Sequence, residues 1–239
     1  MSAFEKNNSI FLGICLVIGM SSLGYLIGNA AIRYKEYERT VTVKGLSERE
    51  YKADIVIWPI QFSAASNDLE DMYKSIDSST EKIKSFLERE GIKENEITYF
   101  SPAITDKSAQ QYGNQPKAEF RYTAFQTVTV YSKNIDLVQS VMGKMSELGM
   151  QGIVFTGGNY ELKTEYIFTR LNEVKPKMIE EATRNAREVA QKFASDSKSS
   201  LGKIRSASQG QFSINARDKN NPHIKKVRVV STVAYYLSD

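Results

Sequence analysis

The amino-acid sequence predicts an α+β protein: an N-terminal transmembrane helix followed by a mixed, mainly antiparallel sheet domain packed by about three helices. Three observations carry that reading. The first is one long apolar run near the N-terminus. The second is a hydrophobic period that switches repeatedly between two and 3.6 along the rest of the chain. The third is the punctuation of those switches by Gly, Pro, Asn and Asp.

The apolar run is IFLGICLVIGMSSLGYLIGNAAI, Ile10 to Ile32, whose only ionisable groups are Cys15 and Tyr25. At ~1.5 Å per residue such a helix exceeds the ~30 Å of a bilayer core. Its glycines and serines suit a membrane helix better than a soluble core. A cleaved signal peptide has a shorter apolar region behind a basic start, whereas here only Lys6 precedes the run, beside Glu5. Cys15 follows Ile14 deep inside the run, a poor setting for lipidation. The expected organisation is a cytoplasmic N-terminus over 1–9, an uncleaved anchor over 10–32, a short tether over 33–40 and one α+β domain over 41–239.

Composition narrows what that domain does. The net charge is +4, from 32 Lys and Arg against 28 Asp and Glu, well mixed. This is no nucleic-acid footprint. The single cysteine lies in the anchor, so the domain has no disulfide, no thiol nucleophile and no thiolate ligand. Its one histidine, His223, leaves little material for a multi-imidazole zinc site or a histidine-based hydrolase. No enzyme activity, cofactor or metal is expected. Flanking charge argues for a cytoplasmic domain, since Lys6 alone precedes the helix while Arg33, Lys35, Arg39, Lys44 and Arg49 follow it.

The elements follow in order. Val41 and Val43 open a short strand, with Gly45 expected as a bulge or turn. Lys52 to Ala64 is apolar on both faces and reads as a strand covered twice, with Pro59 demanding a bulge or an edge. Asn67 or Asp68 caps a helix running to about Glu90 through Leu69, Met72, Tyr73, Ile76, Thr80, Ile83, Phe86 and Leu87, with Gly91 as the stop. Ile97–Thr105 and Phe120–Tyr131 form a long hairpin around the polar tip 106–117. A second helix is expected over Asp136–Leu148 and a strand over Tyr160–Thr169. A third helix starts near Pro176, a favoured early position, and runs to about Lys198 with Ile179, Ala182, Ala186, Val189, Ala190 and Phe193 inward. Ser206–Asn215 and Lys226–Leu237 close the domain as a second hairpin, the last strand alternating strictly.

The candidate chemistry is sparse. Gly157-Gly158 is followed by a strand pattern rather than a helix, so a turn explains it better than a phosphate loop. The glutamates Glu161, Glu165, Glu173, Glu180 and Glu181 are interleaved with lysines in the manner of a solvated face. Arg217, Lys219, His223, Lys225 and Lys226 gather around the last hairpin loop, and Tyr112 lies in an aromatic, glutamine-rich hairpin. These six residues are the candidate contacts for a partner.

The stretch RTVTVKGLSEREYKADIVIW, Arg39 to Trp58, resembles the opening of SIMPL-domain proteins of the bacterial envelope, in the membrane-anchored subgroup. The order of later elements is similar to that family too, including LGMQGI after the second helix and the A-x-x-x-A-R-x-x-A pattern from Ala182 to Ala190. The resemblance implies a single-pass inner-membrane protein with its domain in the periplasm, against the flanking charge. It further implies a homo-oligomer or an envelope protein partner and a link to oxidative or envelope stress tolerance, with no catalytic residues. The alternative reading is a small-ligand or lipid-binding module at the membrane surface.

Overall fold

The computed structural model describes residues 3–37, 39–110, 119–156 and 162–238. An N-terminal helix α1 (Ala3–Tyr37) contains the stretch Leu12–Ile32, long and apolar enough to cross a membrane; a signal sequence passes the same test. The helix continues through most of the expected tether. Strand β1 (Thr40–Lys52) starts three residues after α1 ends.

The chain divides into two compact units, each assembled from segments far apart in sequence. The first comprises Met1–Glu48, Lys175–Ser213 and Arg228–Asp239; the second comprises Arg49–Val174 and Ile214–Val227.

In the first unit, β1 lies beside β10 (Ile224–Ser238), which lies beside β8 (Ser200–Gln209). The N–H of Leu237 donates to the carbonyl of Arg39 (2.9 Å), so the end of β10 meets the start of β1 and the two run antiparallel. Helix α5 (Leu171–Asp196) covers this unit's sheet through Met178, Ala182, Ala186, Ala190 and Ala194, all buried. Four of these are alanines at i, i+4 spacing, which let the helix backbone come unusually near the strands.

Gly45 shows how near. It is neither bulge nor turn but an interior position of a 13-residue strand. A Cβ built there would stand 1.8 Å from the Ala182 carbonyl oxygen and 2.5 Å from the Ala186 nitrogen. Around this contact the core consists of Val43, Ala186, Ala190, Val233 and Tyr235, with Val41 and Leu201 packed against it. The Ser47 hydroxyl donates to Glu181 (2.9 Å) and the Asn185 amide donates to the Leu46 carbonyl (2.8 Å), so α5 side chains also bind the outer edge of β1.

Two expectations for α5 need correction. It begins at Leu171, five residues before Pro176, which sits inside the helix at the cost of one i→i−4 bond. Val189 and Phe193 are 41% and 56% exposed rather than inward. The alanine stripe makes the approach to the sheet, and these larger side chains fall on its flank.

The second unit is built on a six-stranded antiparallel sheet. Its central strands are β2 (Ile55–Ser66) and β5 (Tyr122–Ser132), paired over their whole length from Val56 opposite Ser132 to Ser66 opposite Tyr122. On the far side of β5 lie β3 (Ile97–Tyr99) and β4 (Ala103–Asp106), so the expected strand Ile97–Thr105 is two pieces. Pro102 stands in the break, and the Gln126 side chain donates to the freed carbonyl of Phe100 (2.8 Å). On the far side of β2 lie β6 (Val154–Phe155) and β7 (Glu165–Ile167). Among the described residues of the expected strand Tyr160–Thr169, Glu165–Ile167 pair with β2.

Pro59 falls where neither β6 nor β7 reaches, since their registers cover Phe62–Ser63 and Ile55–Ile57. The strand is central, yet among the described residues none pairs with it at Pro59 on that side, which suits a residue without an N–H.

Helix α2 (Leu69–Arg89) packs on one face of this sheet. Asp68 caps it, its carboxylate accepting from the N–H of Glu70 (2.8 Å) and Asp71 (3.0 Å). Met72, Ile76, Ile83, Phe86 and Leu87 point in, while Leu69 and Tyr73 stay exposed at the helix start. The expected second helix is broken at Gly143 into α3 (Ile135–Met142) and α4 (Ser146–Met150). Together α2–α4 bury Val56, Trp58, Ile60, Phe62, Val128 and Val130 in one core. The opposite sheet face is only partly covered, so β2 is enclosed once rather than twice.

The Gly45 contact leads to a test. Gly45→Ala places a methyl against backbone that has no side chain to move aside, and the expected loss of stability is ~2 kcal/mol or more, measured as a lowered denaturation midpoint with an unchanged slope.

Candidate interaction surfaces

The loop between β9 (Ser213–Ala216) and β10 is organised by one carboxylate. Asp218 accepts from the backbone N–H of Asn220 (2.9 Å) and Asn221 (2.8 Å), from the Asn221 amide (3.0 Å) and from Arg217 Nε (2.8 Å). The Arg217 guanidinium, followed by these loop donors, holds the Asp218 carboxyl down at about 2. Arg217 also reaches Glu50 (3.6 Å).

The basic residues singled out from the sequence therefore take separate roles. Arg217 is pinned between two carboxylates, and Lys219 is exposed at the tip. The His223 ring meets Tyr166 edge-on (5.9 Å), its Nδ1 enclosed without a hydrogen-bond partner among the described residues, while its carbonyl accepts from the Ala53 N–H (2.8 Å). Lys225 is half-buried; desolvation lowers its pKa, and Glu165 works against that. Lys226 is half-buried as well. Tyr112 and the Gly157-Gly158 turn lie outside the described residues.

Next to this loop, Asp54 ties β2 to the segment after β7. It accepts from the Thr169 N–H (2.9 Å) and hydroxyl (2.7 Å) and faces Arg170 (3.4 Å). Burial pushes its pKa up, but the Thr169 bonds and Arg170 outweigh burial and leave it lowered. Tyr51 stacks on Phe168 at 5.3 Å between ring centres. These groups are engaged with one another in a structural way. Among the described residues, no group of three His, Cys, Asp or Glu side chains is placed to hold a metal ion.

Two surfaces were not visible from residue patterns alone. In the second unit, the sheet face away from the helices carries Ile55, Ile57 and Pro59 of β2, with Tyr131 and Phe125 of β5 46% and 38% exposed. In the first unit, β8 pairs with β10 along one side only, with Ser231 opposite Gln209 and Ser238 opposite Ser200. No described strand pairs with its other side. Nearly every β8 residue is exposed, and Ile204 is 49% exposed opposite Tyr235, on the sheet face that α5 covers. Val189 and Phe193 of α5 are exposed over that same layer. The sequence signal for this surface was present in the 3.6 period of α5. The depth to which alanines bring the helix down was the missing quantity.

A groove of about 260 Å³ lies where α5 turns into β8, lined by Arg187, Gln191, Ala194, Ser195, Ser199, Ser200 and Leu201. A second, of about 320 Å³, runs along α2 between Ser78 and Arg89 and reaches Gln151. Both are polar and shallow.

A family model described as SIMPL, protein of unknown function (DUF541), matches residues 41–233. No curated protein matches the chain.

Replacing the organising carboxylate tests the loop assignment. Asp218→Ala is expected to speed amide exchange at Asn220 and Asn221 at least tenfold while leaving β2 and β5 amides protected. Because the folded carboxyl titrates below its unfolded value of ~3.9, the wild-type loop keeps its full stabilisation above that pH. It loses that stabilisation as the pH falls through about 2, read by the same exchange measurement.

Proposed function

The chain belongs to the SIMPL family over residues 41–233, and from that premise we propose a non-enzymatic, membrane-tethered protein of the bacterial envelope. Its anchor is retained in the inner membrane and its domain lies on the periplasmic side. It acts by associating with a second copy, or with another envelope protein, in tolerance of oxidative or envelope stress.

The observation that carries this reading is the open edge of β8. An unpaired strand edge is a row of main-chain donors and acceptors ready to pair with another strand. In β1, the strand at the opposite edge of the same sheet, the Leu46 carbonyl accepts from the Asn185 amide of α5, so the two edges are not equivalent. A second copy joined antiparallel across β8 would continue the sheet and lay a second α5 over the same face. That neighbour would cover Ile204, Val189 and Phe193, which are otherwise exposed to water. Lys203 and Arg205 on the edge disfavour indiscriminate pairing and leave registers that keep like charges apart. Confinement of the anchor to a plane raises the local concentration for such an encounter.

A second reading, a small-ligand or lipid-binding module at the membrane surface, draws on the polar groove at the end of α5.

The double variant Phe193→Glu, Ile204→Glu changes only exposed side chains, so its fold should survive. Self-association of the full chain in lipid nanodiscs, followed by cross-linking and mass photometry, is expected to weaken at least tenfold. A wild-type chain that is strictly monomeric removes the self-association reading, and an associating double variant moves the interface elsewhere. A reporter enzyme fused after Asp239 is expected to be active in the periplasm; activity in the cytoplasm overturns the location.

A further inference from the structure

The groove where α5 turns into β8 lies at the end of the first unit from which the anchor leaves. This follows from the hydrogen bonding alone. Leu237 donates to the Arg39 carbonyl, and Leu201 and Ser200 stand opposite Leu237 and Ser238 in the next strand. Arg39, Leu237 and Leu201 are therefore level with one another across three strands, and α1 ends only two residues before Arg39. Lys198, with φ of 55°, makes the sharp turn out of α5 at this same level, and the Ser199 N–H donates back to the Ala194 carbonyl (2.9 Å).

Charge is concentrated on this unit. It holds 14 Lys and Arg against nine Asp and Glu, a net of +5, whereas the second unit holds 18 against 19, a net of −1. Lys35, Arg39, Lys192, Lys198 and Lys203 lie toward the anchor-proximal end, all exposed, with Asp196 and Glu188 among them and Glu36 and Glu38 between Lys35 and Arg39 in the sequence. The groove itself offers a guanidinium from Arg187, an amide from Gln191 and the hydroxyl of Ser200. The last α5 carbonyls, which would repel an anion, are engaged: the Ser195 hydroxyl donates to Gln191, the Ser197 hydroxyl and the Ser199 N–H donate to Ala194, and the Ser197 N–H donates to Phe193. Guanidinium with surrounding hydroxyl and amide groups is the donor set that recognises a phosphate.

We propose that this groove receives the phosphate of an anionic phospholipid from the leaflet into which the anchor emerges, with Lys192, Lys198 and Lys203 beside neighbouring headgroups. The proposal rests on the anchoring reading and deepens the lipid-binding alternative. It also gives the basic residues after the anchor a purpose other than setting topology, since lysines and arginines beside an anionic surface bind it wherever the domain lies.

The test uses the full chain in nanodiscs of phosphatidylcholine alone or with phosphatidylglycerol, comparing wild type, Arg187→Glu, and Arg184→Glu as a charge-matched control on the same helix. Lipid retained on the protein is read by native mass spectrometry, and amide exchange is read over residues 195–201. Phosphatidylglycerol is expected to be retained preferentially and to slow exchange in that segment. Arg187→Glu should lower retention about fivefold or more, the scale of one basic group at an anionic surface, and Arg184→Glu should lower it far less. Equal retention of both lipids, or equal effects of the two variants, overturns the groove as the site. Inorganic phosphate is added at millimolar concentration to the phosphatidylcholine discs as a separate arm; if it protects the segment as well as the lipid does, a free phosphate and not a headgroup is the ligand. Alkaline carbonate extraction distinguishes the two levels. A chain released from membranes overturns the anchoring and this proposal together, whereas a chain that stays while lipid selectivity is absent overturns only this one.

Discussion

The first unit depends on one close approach. Ala182 and Ala186 of α5 sit so near β1 that Gly45 is the only residue type the strand can hold at that position without moving a main chain. Everything else in the unit adapts to that distance. Val43, Val233 and Tyr235 fill the thin remaining space, Asn185 and Ser47 link helix to strand edge, and the larger α5 side chains are displaced to the flank. A small core made this way buries little apolar area per residue. It gains instead from tight, well-shaped contact between main chains.

The second unit follows a different design. Its core is thick, made of large side chains from α2, α3 and α4 against the paired β2 and β5, and its polar groups are settled locally. Gln126 is buried on the helix-facing side yet serves the Phe100 carbonyl, and Pro59 occupies a stretch of β2 where no described strand on the β6 and β7 side requires its N–H. Each irregularity is matched by a group that makes it inexpensive. That pattern explains how a central strand holds a proline and a hairpin arm holds a break without loss of the sheet.

What was legible in the sequence were the features that depend on a residue's near neighbours. The apolar helix, the Asp68 cap with its stripe of Met72, Ile76 and Ile83, and the alternation of β10 all state their structure within a dozen residues. The family resemblance carried by Arg39 to Trp58 agrees with the matched span. What was not legible involved partners distant in the chain. Gly45 reads as a turn because its reason, α5, lies far downstream, and Val189 and Phe193 read as core because periodicity gives a direction but no depth. The basic residues of the last loop looked like one patch, and only the positions of Glu50, Asp218 and Glu165 reveal that they are divided among separate contacts.

The hydrogen bond from Leu237 to Arg39 joins segments widely separated in the sequence. During synthesis β1 is made long before β10 and must wait for it as a strand partner. Contacts of such wide separation are slow to form. Until β10 is made, the nascent chain lacks the strand that β1 pairs with, a state prone to wrong pairing. Loss of the segment Arg228–Asp239 would strip the first unit of its central strand and leave β1 and β8 without the strand that lies between them.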